Sequence, residues 1–176
     1  MSRRTNRFDM EVFSYRELEH YPVGSHEALL LIVDYVRWPS HVPEEFAHHL
    51  RLRIPPSELA EAMLEDYESL LRHARYALNF VRLHGASCQR FAVASPDGEV
   101  RGPALAVGLM GALDFPFTRV DEIARTYPRL SRTLRDRVLE AAGKLPPTRL
   151  EQAAHSPLTK AALLLLAKLT EGRFHS

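Results

Sequence analysis

Histidine and carboxylate side chains crowd one short stretch of this chain. His41, Glu44, Glu45, His48 and His49 all fall within nine residues. Imidazole and carboxylate are zinc ligands, and a catalytic zinc keeps one position open for water. On a helix Glu45 would stand one turn from both His41 and His49, while the adjacent His48 and His49 would point in different directions. The H-E-x-x-H spacing of a zinc protease is absent, and no further ligand stands at a diagnostic distance. The stretch reads as the polar face of a short helix, with no metal and no cofactor expected. His20, His26 and Glu27 form a looser group that carries less.

Nucleophilic chemistry has still less to stand on. The Gly-x-Ser-x-Gly elbow, the Walker loop and the dinucleotide fingerprint are all missing. Gly102, Gly108 and Gly111 do not follow the last spacing and read as sites of close helix packing. Cys88, the only cysteine, cannot form an intramolecular disulfide. It lies four residues after His84, across Gly85, with nothing beside it to lower a thiol pKa. It reads as a small buried hydrophobe. No enzymatic activity is expected.

Arginine is the remaining chemistry-bearing type. The chain has 23 basic and 22 acidic residues, a net charge of +1 that gives no global pull toward nucleic acid or an anionic membrane. All the basic residues but Lys144, Lys160 and Lys168 are arginine. Arginine pervades the chain, alongside abundant alanine, leucine and proline, as high-GC coding would produce, so its identity carries little weight. Its distribution carries more. Residues 118–150 hold eight basic residues against four acidic ones. Thr118–Ala142 reads as two short helices, a plan resembling a helix-turn-helix, in which the first helix braces and the second enters the major groove. Arg119, Arg125, Arg129, Arg132 and Arg135, with Arg137, occupy its exposed positions. A planar guanidinium suits phosphate or guanine. Pro128 stands where such a turn usually has glycine, and the connection is about one residue too long. An ordinary helical hairpin with a solvated arginine face accounts for the same pattern. Arg3, Arg4 and Arg7 could follow a phosphate backbone as a flexible arm.

The elements that would position these groups read as helices. Residues 1–24 form a partly flexible N-terminal arm, and 25–176 one helical domain. Ser25 caps a buried helix through Ala28–Val33, and Pro43 opens a second over about 43–52. Ser57 caps a long amphipathic helix over about 57–84, its apolar stripe running through Leu59, Met63, Tyr67, Leu70, Ala74, Ala77 and Val81. Acids fill its first half, and Gly85 takes the left-handed position after its end. Arg90–Ala94 and Glu99–Arg101 flank Ser-Pro-Asp-Gly and read as a small β-hairpin over about 90–101. Gly102-Pro103 opens a buried helix. Thr118 with Asp121 forms a capping box, and Ser131 caps the next helix, with Gly143 after its end. After Pro146-Pro147, Ser156 caps a last helix at 158–171 whose Leu163–Leu166 make it apolar all round.

Hydrophobic residues at 45% and charged residues at 26% match an ordinary globular domain. No signal-peptide h-region and no apolar run of ~20 residues appears, so a cytoplasmic protein without a membrane segment is expected. The fold expected is mainly α: a compact helical domain around the 57–84 helix, with one hairpin. The function expected is a non-enzymatic nucleic-acid-associated protein, a bacterial DNA-binding transcriptional regulator using the 118–142 pair. The alternative is a helical adaptor or assembly subunit, within a larger nucleoprotein complex or as a homo-oligomer, acting through the apolar C-terminal helix.

Overall fold

The computed structural model describes residues 8–34, 37–54 and 64–145, with backbone only at 64–67. Strand β1 is Asp9–Ser14, followed by the single turn α1, Tyr15–Leu18. Strand β2 is Glu27–Val33 and β3 is His48–Arg53. Helix α2, Leu64–His84, leads to β4, Arg90–Ser95, and then to α3 (Arg101–Ala112), α4 (Phe117–Thr126) and α5 (Arg132–Ala141). The four strands form one sheet in the order β1-β4-β2-β3, every pair parallel. The protein is therefore α/β, and the expectation of an all-α domain with one hairpin is overturned.

Each misread element has a physical reason. All seven residues of β2 are buried. A parallel strand covered on both faces has no polar alternation, so its run Ala28–Val33 mimics a buried helix. β3 replaces the helix expected at 43–52. Its His49, Arg51 and Arg53 are exposed while Leu52 is fully buried, the period-two pattern of a half-covered strand. Arg90–Ser95 is a strand as expected, but it pairs with β1 and β2, residues far away in the chain. Pro96-Asp97-Gly98 turns the chain into α3 instead of back along β4.

Helices α2, α3 and α5 cover one face of the sheet. Leu70, Ala74, Ala77 and Val81, the described part of the expected α2 stripe, pack there with Leu105, Leu109, Leu134 and Val138 against Met10, Leu30, Ile32, Phe91 and Val93. A fully buried leucine or isoleucine contributes roughly 1.5–3 kcal/mol. The opposite face has lighter cover: Leu29, Leu31, Val33, Ala92 and Ala94 meet Tyr15, Leu18 and Phe46. Among the described residues no helix is long and apolar enough to cross a membrane. The chain divides into units 1–145 and 146–176. The expected start of the long helix at 57–63 and the helix at 158–171 lie outside the described residues.

Helix ends also depart from expectation. α4 begins after Pro116 with no side-chain cap, so Thr118 and Asp121 form no capping box. Ser131 does cap α5, its Oγ accepting from the Leu134 amide at 3.3 Å. Gly85 is absent from the positive-φ glycines. A Cβ there would lie 2.7 Å from both a Phe8 ring carbon and the Val81 carbonyl oxygen, so close approach is what excludes a side chain.

The tightest helix contact is at Gly108 of α3, where a Cβ would lie 2.7 Å from Val138 Cβ and 3.1 Å from the Arg135 carbonyl oxygen. Gly108→Ala is expected to destabilise the protein by about 1–3 kcal/mol, read from the urea midpoint. Gly111→Ala meets only the end of Leu139 at 3.1 Å and should cost less than about 1 kcal/mol. Equal effects at the two positions would contradict this packing of α3 on α5.

Candidate anion-binding site

Where β4 ends, the chain folds tightly around two oxygen-bearing side chains. Ser95 Oγ accepts from the amides of Gly98 at 3.1 Å and Gly102 at 3.2 Å. Asp97 Oδ1 accepts from the amides of Glu99 and Val100, both at 3.2 Å, and from the Ser95 hydroxyl at 3.2 Å. Four backbone N–H groups thus converge at the N-terminus of α3, where the helix dipole favours negative charge. Val100, the residue before α3, supplies no side-chain cap, and Asp97 takes that role. The backbone can wrap this closely because Gly98 has φ of +67° and passes Ser14 where a Cβ would lie 2.8 Å from the serine Cβ.

Arg101 closes the site from inside. Its side chain is 2% exposed, and buried guanidinium needs partners on every side. Nη1 donates to the Ile54 carbonyl at 2.7 Å, just past β3. Nη2 donates to Asp34 Oδ2 at 3.2 Å, one residue past β2, and reaches Asp97 Oδ2 at 3.4 Å. Nε lies 3.4 Å from the same Asp97 oxygen. Asp34 is buried and also pairs with the exposed Arg37 at 3.4 Å. Of Arg101 and the two carboxylates, Asp97, 26% exposed, is the one nearest solvent. Nearby, the Tyr15 hydroxyl donates to the Ile32 carbonyl at 2.6 Å. Burial first, and the Asp34 charge second, push its pKa up to about 12. Tyr127 is likewise raised, by burial and by Glu17 and Glu99.

The arrangement holds the protein's own carboxylate: Asp97 Oδ1 takes two loop amides and Oδ2 faces the Arg101 guanidinium. Ser95 is fully buried and bonded on all sides, out of reach of a substrate.

The residues singled out from sequence lie elsewhere. Helices α4 and α5 both pack on α3 more extensively than on each other. Arg119 bridges to Asp9 at 2.7 Å and to Glu122, tying α4 to β1. Arg125 pairs with Asp121 at 2.7 Å and Arg135 with Asp136 at 2.6 Å, while Arg137 is buried against Glu140. Arg129 and Arg132 are exposed. In the histidine stretch, His48 and His49 are consecutive in β3 and so point to opposite faces. His48 stacks on His84 with ring centroids 3.8 Å apart, and burial with the His48 charge lowers the His84 pKa. Among the described residues no group of three or more His, Cys, Asp or Glu is placed to hold a metal ion. Cys88 is buried, which pushes its thiol up.

Sequence reasoning missed Asp34, Asp97 and Arg101. The available signal was an apolar strand, a glycine-containing turn and a buried helix in succession at 90–112, the strand–loop–helix order that presents amides to an anion. No protein-family model, curated protein or solved structure matches the chain.

Because the folded pKa of Tyr15 lies near 12 against an ordinary 10.0, the neutral hydroxyl contributes stability below pH 10 that is lost as pH rises toward 12. Urea midpoints across this range should fall with pH, and the fall should be shallower in Tyr15→Phe. An unchanged slope would contradict the burial of this hydroxyl.

Proposed function

We propose that this chain is a non-enzymatic binding domain that receives an oxyanion of the phosphate or sulfate class outside the carboxyl ends of β2 and β4. One observation carries the reading: the amides of Glu99 and Val100 and the buried Arg101 guanidinium are all engaged by one partly exposed carboxylate, that of Asp97. Open parallel sheets take ligands at the carboxyl ends of their strands, and a helix N-terminus with an arginine suits an oxyanion.

In the free protein the Asp97 carboxylate occupies this cradle. Asp34 and Arg101 are almost wholly buried, whereas Asp97 is a quarter exposed. Its carboxylate can turn toward water at less cost than Asp34, and an entering oxyanion would satisfy the donors it vacates, the amides of Glu99 and Val100 and the Arg101 Nη2 and Nε. Glu17 and Glu99 are near neighbours of Tyr127 at this end of the sheet and oppose a dianion. The affinity is accordingly modest, about 1 mM. The 118–142 arginines carry less of the functional argument than their number suggests, because Arg119, Arg125 and Arg135 already sit in ion pairs.

Calorimetric titration with inorganic phosphate, at ionic strength matched with chloride, tests the reading. The protein should bind with Kd about 1 mM, and Asp97→Ala at least about tenfold more tightly, because the resident carboxylate is gone. Absence of binding in both proteins would overturn the proposal.

A further inference from the structure

The two edges of the sheet are finished differently. On β1 the Met10 amide donates to Asp9 Oδ1 at 2.9 Å, and the Ser14 amide to Glu17 Oε2 at 2.7 Å. Side chains of the same segment thus take up amides that β4 does not. At the other edge β3 pairs with β2, and among the described residues no strand lies on its outer side. An edge strand leaves alternate amides and carbonyls without a strand partner. Among the described residues no side chain caps an amide of His48, His49, Leu50, Arg51 or Leu52. Of the two edges, β3 offers its backbone for pairing.

The side chains of β3 alternate in chemistry as well as in direction. His48 stacks on His84 of α2, and Leu50 and Leu52 join the core on that face. His49, Arg51 and Arg53 stand on the other face, all three exposed. Arg51 and Arg53 supply fixed positive charge, and the His49 ring a further hydrogen-bonding group. Residues two apart on a strand are separated by about 6.7 Å, so an added strand with a carboxylate at every second position meets each in turn. Like charges directly opposite one another are destabilising, so the same row opposes pairing with β3 of a second copy. Glu44 and Glu45 are exposed just ahead of the strand, which leaves its arginine end the stronger part of the row.

We infer that β3 is a docking edge for an acidic, extended segment of another protein, which adds as a fifth strand with Asp or Glu at alternate positions beside His49, Arg51 and Arg53. Main-chain bonds to the open edge supply affinity, and the alternating carboxylates supply selectivity. The inference does not depend on the oxyanion reading of the Asp97 loop.

Amide ¹H–¹⁵N NMR of the full chain, titrated with three end-blocked heptapeptides, tests the inference. The first alternates glutamate with valine between threonine ends, the second has lysine for glutamate, and the third gathers the glutamates into one run. The alternating acidic peptide should shift the amides of His48–Arg53, slow their exchange with solvent and saturate with Kd of about 1 mM. The clustered peptide should bind at least about fivefold more weakly, and the lysine peptide should not saturate. Arg51→Glu should weaken the alternating acidic peptide about tenfold, and Arg51→Glu with Arg53→Glu should take the lysine peptide instead. Both positions are exposed, so retained peak dispersion separates lost affinity from lost folding. The inference fails if clustered and alternating peptides bind alike, if the shifts fall on Arg72, Arg75 and Arg82 of α2 instead of β3, or if charge reversal leaves binding unchanged. Shifts of the β3 amides on dilution of the free protein would assign the edge to a second copy of the chain and overturn it as well.

Discussion

A guanidinium buried to 2% exposure is the constraint around which the carboxyl end of this sheet is arranged. An unpaired charge at that depth would cost several kcal/mol, so Arg101 folds only with its partners in place. Those partners come from three separate parts of the chain: Asp34 after β2, the Ile54 carbonyl after β3, and Asp97 in the loop after β4. Arg101 itself opens α3. One side chain therefore joins the ends of three parallel strands to the helix that covers them. Ser95 and Asp97 complete the knot by taking up the loop amides that a helix start leaves without partners.

The same constraint defines what the site can do. Two carboxylates, Asp34 and Asp97, face two guanidinium groups, Arg101 and the exposed Arg37. The donors of the resting cluster are filled from within. A ligand at this position must replace Asp97 rather than enter an open hole, which explains why the proposed affinity is modest and why a single loop carboxylate governs it. Gly98 is indispensable to this design, since its left-handed backbone passes directly over Ser14 and brings the amides of the turn together.

What was legible in the sequence followed from local physics. The periodic stripe of α2, the glycine-rich buried α3 and the Ser131 cap of α5 are encoded within a few residues of one another, and the structure contains them. The sheet was not legible, because parallel pairing leaves no local turn signature and β2, buried on both faces, shows no alternation. β3 did carry its signal in His-Leu-Arg-Leu-Arg, but Pro43 favoured a helix start. The cluster was hidden for the same reason as the sheet: Arg101 and Asp34 are 67 residues apart and meet only once β2 and β4 pair. The ion pairs of the arginines differed in how far the sequence showed them. Asp9, the partner of Arg119, lies 110 residues away and could not be foreseen, whereas Asp121 sits one helical turn from Arg125 and could.

The most direct test of this account is a double-mutant cycle on the buried pair, using Arg101→Met, Asp34→Asn and the two combined, with unfolding free energies from urea denaturation. Each single change should destabilise the protein by about 3–5 kcal/mol, because it strands a buried charge. The double variant should lose about 2–3 kcal/mol less than the sum of the singles. Additivity to within about 0.5 kcal/mol would mean that Arg101 and Asp34 do not depend on each other, and would contradict the cluster as the organising interaction of the fold.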